Sequence, residues 1–405
     1  MVYRLSLHHF ICLLIFSSTL LQSLCLRAQD ERAQYPPVLS NSYIGVNIGY
    51  INYPFSAAQL QPGHTVQSVR VPHTAVRIIL FGHQFNKYLS AQVSYMRPVN
   101  WVEYKNIDGD HSDHTVWMNI AGLTMSSQIP FGKKFSLSTE AGLGIITRRG
   151  FTINGTTVVK DAAYATLLAG GSLQYHLTKK WDLHLTTSWS PSHAKVKQPH
   201  TLFFAAGFNY YMRSLPAKTV ERNKNNGYIF PKQLLQFGYT TNALGYGVNN
   251  FVAKGAIPIF WGGEAQVKQG ISFNYQHNLF HTRKVFSLDW GAGLSYWKSK
   301  IKEDKFYTLS LYPVLRFTAL RTRPFDVYFN YSVAGPTFIS GIVIDEKLTG
   351  NKFTFQDFMG MGVYAGKKRK LNAEIRIAHY SNGNIYPQND GVMIPLSFNL
   401  GYSFD

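Results

Sequence analysis

The sequence predicts an all-β protein: a transmembrane antiparallel β-barrel fold, arranged as two tandem eight-stranded barrels. Three observations predict it. The chain opens like an exported protein. It is rich in aromatic residues and poor in charge, with no apolar run long enough for a membrane helix. It also alternates apolar and polar residues over segments of the length a barrel strand needs.

The chain has 405 residues. Arg4, His8 and His9 precede an apolar run from Phe10 to Leu26, and small Ala28 is followed by polar Gln29 to Arg32. A positive start, an apolar middle and a small residue at the cut make a secretory leader, so residues 1–28 are expected to be removed on export. Cys12 and Cys25 are the only cysteines. With the leader gone, neither a disulfide framework nor a cysteine metal site is expected.

Aromatic residues make up 15% of the chain and charged residues 15%. After residue 30 no apolar run approaches the roughly 20 residues of a membrane helix. An exported, aromatic-rich chain of this kind has the composition of an outer-membrane barrel. The net charge of +19 would suit nucleic acid, but export removes that partner. Basic loops over an anionic lipid surface account for the charge instead.

A barrel strand needs about 9–11 residues with one parity apolar toward lipid and the other polar or small. From Phe286 one parity gives Phe286, Leu288, Trp290, Ala292, Leu294 and Tyr296, against Ser287, Asp289, Gly291, Gly293 and Ser295. The last segment gives Ile394, Leu396, Phe398, Leu400, Tyr402 and Phe404, against Ser397, Asn399, Gly401 and Ser403. Helical spacing fits neither stretch. Eight such segments are expected between residues 40 and 213 and eight more between 233 and 405. Residues 214–232, polar and without alternation, read as a linker. Eight and eight favours two barrels, and one sixteen-stranded barrel is the alternative. The two halves also echo one another loosely, Ser192-His193 and the strand from Leu202 against His379 to Ser381 and the strand from Leu396.

The penultimate segment carries the chemistry. Leu371, Ala373, Ile375, Ile377, His379 and Ser381 share one parity, and Asn372, Glu374, Arg376, Ala378 and Tyr380 the other. Residues two apart on a strand share a face. The apolar, lipid-facing stripe therefore ends in a histidine and a serine near the membrane interface. A hydroxyl nucleophile beside an imidazole base is what an esterase acting on a membrane lipid needs. Glu374, on the other parity, is expected to pair with Arg376 inside the barrel.

Ser381-Asn-Gly-Asn384, then Asn389-Asp-Gly391 and a closing aromatic strand, resembles the PagL-type lipid A 3-O-deacylase family. That family carries a His-x-Ser-Asn motif on its penultimate strand, an Asn-x-Gly loop and a last strand. Thr354 to Gly362 and Gly335-Pro336 resemble the family's approach to its motif. The resemblance covers about residues 230–405; the first half looks only like a generic outer-membrane barrel. It implies an esterase that removes a hydroxyacyl chain from lipid A, with lipopolysaccharide as substrate and no cofactor or metal. Ser381 would be the nucleophile, His379 the general base and Asn382 the stabiliser of the oxyanion. Two departures stand out. The family's histidine-orienting glutamate falls at Met393, and Asn384 stands where a glycine is usual. Asp390 could replace the missing acid if the loop folds back.

Other signals are weaker. Asp108 to His114 is rich in Asp and His but matches no metal-loop spacing, and reads as a hydrated hairpin tip. Asn154-Gly-Thr156 reads as a turn. Trp189 and Trp297 are expected in the interfacial aromatic belt, and Lys367 to Lys370 in a charged turn able to meet lipid phosphates. Two further functions compete with the esterase: a non-catalytic structural or adhesive barrel, and a pore, which requires the sixteen-stranded form.

Overall fold

The structure is a computed structural model that describes residues 32–254, 262–386 and 388–404. The expected leader, both cysteines, Pro387 and Asp405 lie outside the described residues.

Eight long strands form the first half: β1 (Ser42–Asn52), β2 (Thr74–Gln84), β3 (Leu89–Pro98), β4 (His114–Phe131), β5 (Phe135–Arg149), β6 (Ala162–His176), β7 (Trp181–Ser190) and β8 (Thr201–Met212). Eight more form the second: β9 (Gln233–Thr241), β10 (Ala265–His281), β11 (Phe286–Ser299), β12 (Lys305–Arg321), β13 (Phe325–Ile339), β14 (Phe353–Ala365), β15 (Leu371–Ser381) and β16 (Val392–Phe404). Every strand pairs antiparallel with its neighbour in sequence. β1 closes on β8 through Ser42↔Met212 to Asn52↔Leu202, and β9 closes on β16 through Gln233↔Phe404 to Thr240↔Ser397. Each half is thus a closed barrel, and the sixteen-stranded alternative falls. Closure leaves no open strand edge for lipid to meet, which the hydrocarbon core requires.

Alternation sorts the side chains as the sequence suggests. In the second barrel Phe237, Phe273, Leu294, Phe329, Leu400 and Tyr402 face outward and are exposed. Inside its lower half, Glu374 accepts from Arg376 Nε at 2.8 Å, Tyr328 Oη at 2.8 Å and Asn330 Nδ2 at 2.7 Å. Arg316 pairs there with Asp289. The upper half is filled with apolar and aromatic side chains, among them Phe306, Tyr312, Phe358 and Ile394. The first barrel repeats the plan, with Arg77 on Glu140 at 2.5 Å below a cluster that includes Tyr53, Tyr104, Met118 and Phe203. Interiors of this size are packed by side chains, which removes the pore reading.

The starts of β1 and β9, the ends of β8 and β16 and the short turns lie at one end of each barrel, and the long connections at the other. In outer-membrane barrels the short turns are periplasmic and the long loops extracellular. At the short-turn end the segment before β1 ties the two barrels together. Arg32 donates from Nη1 to Phe230 O at 3.0 Å and to Asn278 Oδ1 at 3.2 Å. The stretch expected as a plain linker holds a short helix, α1 (Ala217–Lys224), whose Asn223 donates to Ala33 O.

The structure adds what the alternation missed. Strands Val66–Arg70 and Val102–Ile107 pair with each other beyond the first barrel's rim, too short and too polar to register as barrel strands. β13 runs to Ile339 rather than ending near 333, because a bulge at Ala334, in the left-handed region at φ 54°, carries it past Gly335-Pro336. Trp189 is 40% exposed on the outer face, as a belt residue is, whereas Trp297 is buried and donates Nε1 to Thr308 Oγ1. Trp297 has the inward parity, so the belt assignment is corrected. The 367–370 turn lies at the short-turn end, and Arg369 is spent on Thr322 O, Arg323 O and Asp326, not free for lipid phosphate.

Candidate functional site

β15 runs without interruption against β14, pairing Phe355↔Ser381, Asp357↔His379 and Met359↔Ile377. Its inward residues are fixed by Glu374 and by Tyr380, whose hydroxyl meets Thr308 Oγ1 at 2.9 Å inside the barrel. Ile377, His379 and Ser381 therefore lie on the outer face. Two residues of strand rise separate His379 from Ser381, about 6.6 Å.

That outer face is not bare. Leu371 and Ile375 are exposed, but Ile377 and His379 are only 2% exposed each. Helix α2 (Gly247–Lys254), in the β9–β10 connection, lies over β15 and β16. Val252 joins the buried cluster of Ile377 and Ile394, and Asn249 Nδ2 donates to Ile394 O at 2.9 Å. On its other side Val248 and Phe251 are exposed, as is Leu244 in the turn before it, an apolar surface of the kind that sits at the acyl–headgroup boundary.

Ser381, half-buried at the strand end, is held by its own loop. Its hydroxyl receives Asn389 Nδ2 at 3.0 Å and the Gly383 amide at 3.3 Å. Asn389 Oδ1 in turn accepts the Asn382 amide at 2.9 Å. Asn384 Oδ1 accepts Asn389 Nδ2 at 2.7 Å from a backbone φ of 58°. The left-handed region is costly for most side chains and is tolerated by asparagine, which explains how Asn384 stands where a glycine was expected.

Asn382 has a different place from the one the resemblance implied. It is fully buried, and its Nδ2 donates to Thr349 O at 3.1 Å and to Gln388 O at 2.6 Å. Both amide hydrogens are used to hold the 349–350 turn against the loop, so the donors that converge on Ser381 are Asn389 and Gly383. The turn approaches so closely that a Cβ at Gly350 would lie 2.4 Å from Asn382 Nδ2.

The acidic partner also differs. Met393 is the Cα partner of His379 on β16. Asp390 lies in the loop before β16, where its Oδ2 accepts the Leu348 amide at 2.7 Å; it does not fold back on the histidine. Asp357, on the opposite side, places Oδ2 3.7 Å from His379 Nδ1, and its Oδ1 accepts the Ala334 amide at 2.5 Å. It is the one polar residue in an outward stripe of Phe355, Met359 and Met361, a signal the alternation of β14 contains. Asn389 sits in an irregular loop and carries no such signal.

The first barrel touches this loop. Asn119 and Thr147 face outward from β4 and β5 yet are buried. Thr147 Oγ1 donates to Ile385 O at 3.4 Å, and the side chain of Tyr95 meets those of Asn384 and Asn119. The echo of the motif in the first barrel does not reproduce the site. Ser192 and His193 follow β7 in a loop, where His193 pairs by backbone with Gln198. At the Asp-rich hairpin tip, Asp108 and Asp110 are taken by Thr65 and Ser112, and no metal-binding cluster occurs among the described residues.

Residues 264–403 match the family model described as lipid A 3-O-deacylase (PagL). No curated protein matches the chain. Among solved structures, the outer-membrane enzyme PagL is 17% identical, covering 42% of this chain and 97% of its own, with a TM-score of 0.30. Neisserial surface protein A is 14% identical over 42% of this chain and 97% of its own, TM-score 0.29. The N-terminal barrel of Pseudomonas aeruginosa OprF is 16% identical over 42% and 98%, TM-score 0.26. Closed barrels with apolar outer belts and the family match make this an outer-membrane protein of the Gram-negative type.

Proposed function

We propose, from a second barrel that matches the lipid A 3-O-deacylase model and carries a serine held between two N–H donors, that the protein hydrolyses an acyl ester of lipid A or a related membrane lipid. The observation that carries the reading is the convergence of Asn389 Nδ2 and the Gly383 amide on Ser381 Oγ, two residues beyond His379 on the outer face. The acyl chains would lie in the outer leaflet along the barrel wall, with the ester at the loop and the apolar side of α2 dipping into the same leaflet.

In this reading Ser381 Oγ attacks the ester carbonyl while its proton passes to His379 Nε2. As Oγ bonds to the carbonyl carbon, the Asn389 and Gly383 N–H groups that the resting hydroxyl accepts would pass to the adjacent oxyanion and stabilise it. Collapse breaks the bond to the sugar oxygen, which takes the proton from His379 and leaves as the alcohol. Water, deprotonated by His379, then cleaves the acyl-serine, freeing the fatty acid and restoring Ser381. Asn382 keeps a supporting role, fixing the loop that presents the donors.

A second reading has one observation in its favour. Met393 gives His379 no acid from β16, as expected of a barrel that keeps the motif without activity. The test is incubation of the purified protein and its Ser381→Ala variant with lipopolysaccharide in detergent, followed by mass spectrometry of lipid A. Loss of one hydroxyacyl chain with the wild type alone supports the esterase. No loss with either supports the inactive barrel.

A further inference from the structure

We infer that Asp357 is the acid that positions the His379 imidazole, replacing from β14 the carboxylate that β16 lacks. The inference rests on the esterase reading of this site. Asp357 is the Cα partner of His379 on one side as Met393 is on the other. All three residues lie on the outer face, so the carboxylate needs no loop rearrangement to reach the ring.

The carboxylate is built into its position. The β13 bulge puts an extra residue opposite Asp357 and turns the Ala334 amide onto Oδ1 at 2.5 Å. That leaves Oδ2 directed at His379 Nδ1, 3.7 Å away. The contact is about 0.8 Å longer than an N–H···O bond, and catalytic hydrogen bonds are often long before substrate binds. Asp357 is 9% exposed in an otherwise apolar stripe. A carboxylate buried there is costly unless it is paired, and the Ala334 amide satisfies one oxygen only. With a carboxylate at Nδ1, the proton resides on that nitrogen and Nε2 is left as the acceptor for the serine proton. Asp357 is therefore a positioning residue, acting through His379.

The experiment compares wild type, Asp357→Asn and Asp357→Asn/Met393→Glu, each refolded in micelles. Asp357→Asn is expected to lower kcat on lipopolysaccharide about 10²–10⁴-fold with KM changed less than about threefold, because the wrong tautomer leaves substrate binding intact. Met393→Glu in that background supplies a carboxylate from the other Cα partner of His379 and is expected to recover at least about tenfold, which a folding defect would not allow. Imidazole ¹⁵N spectra are expected to show the Nδ1–H tautomer in wild type and its loss in Asp357→Asn. An unchanged ¹⁵N spectrum, or activity within twofold of wild type, overturns the inference. If wild type releases no fatty acid, the esterase reading fails instead, and the ¹⁵N comparison alone decides whether Asp357 sets the tautomer.

Discussion

Asn389 Nδ2 lies 3.0 Å from Ser381 Oγ, across the loop that joins the last two strands. The contact links the strand end to the return of the chain and gives the serine a donor. Replacing Asn389 with Leu removes that donor at similar size. We expect kcat to fall about 10²–10³-fold, the usual loss of one oxyanion donor, with KM little changed. Steady-state kinetics on lipopolysaccharide in detergent measure it. Asn382→Ala is expected to act differently, loosening the loop against Thr349 and Gln388 and exposing it to proteolysis.

The first barrel has a stake in the site. Thr147 donates to Ile385 O, and Tyr95 faces Asn384. Thr147 and Tyr95 both belong to the first barrel, so Thr147→Val with Tyr95→Phe leaves every side chain of the second barrel in place. We expect a drop in kcat of about three- to tenfold from loss of two modest hydrogen bonds, with unfolding of the second barrel unchanged. A rate equal to wild type would confine the first barrel to a structural part.

Inside the second barrel Glu374 neutralises Arg376 and gathers Tyr328 and Asn330. Glu374→Ala leaves a buried guanidinium without its counter-ion, which costs about 3–5 kcal/mol. Urea unfolding in phospholipid vesicles should register the loss.

Trp189 and Trp297 separate cleanly in lipid. In otherwise tryptophan-free variants, brominated acyl chains are expected to quench Trp189, on the outer face, and to leave Trp297 bright inside the barrel. Equal quenching would mean the parity of β11 is wrong at its upper end.

The barrels were legible because alternation is physical: each closed wall has a wet or filled side and a lipid side, so period two runs through each strand, except where a bulge reverses it, as in β13 and in β16, where Ile394, expected outward, is turned into the interior. His379 and Ser381 were legible for the same reason, as the polar end of an apolar stripe. What the sequence hid is non-periodic. The Ala334 bulge that aims Asp357, the turn that occupies Asn382, the left-handed Asn384 and the cover of α2 over β15 all depend on loop geometry and on contacts between distant segments. Asp390 misled for that reason. It is close to the motif in sequence, yet its backbone amide and its carboxylate both bond Leu348.

Covalent capture of Ser381 tests the central claim most directly. The refolded protein would be treated with a long-chain alkyl fluorophosphonate, which phosphonylates an activated serine hydroxyl with loss of fluoride, and digested for peptide mass mapping. The account predicts one adduct, on Ser381, lost in Ser381→Ala and strongly slowed in His379→Ala. A folded wild-type barrel that takes no label at Ser381, or labels equally fast without His379, would contradict it.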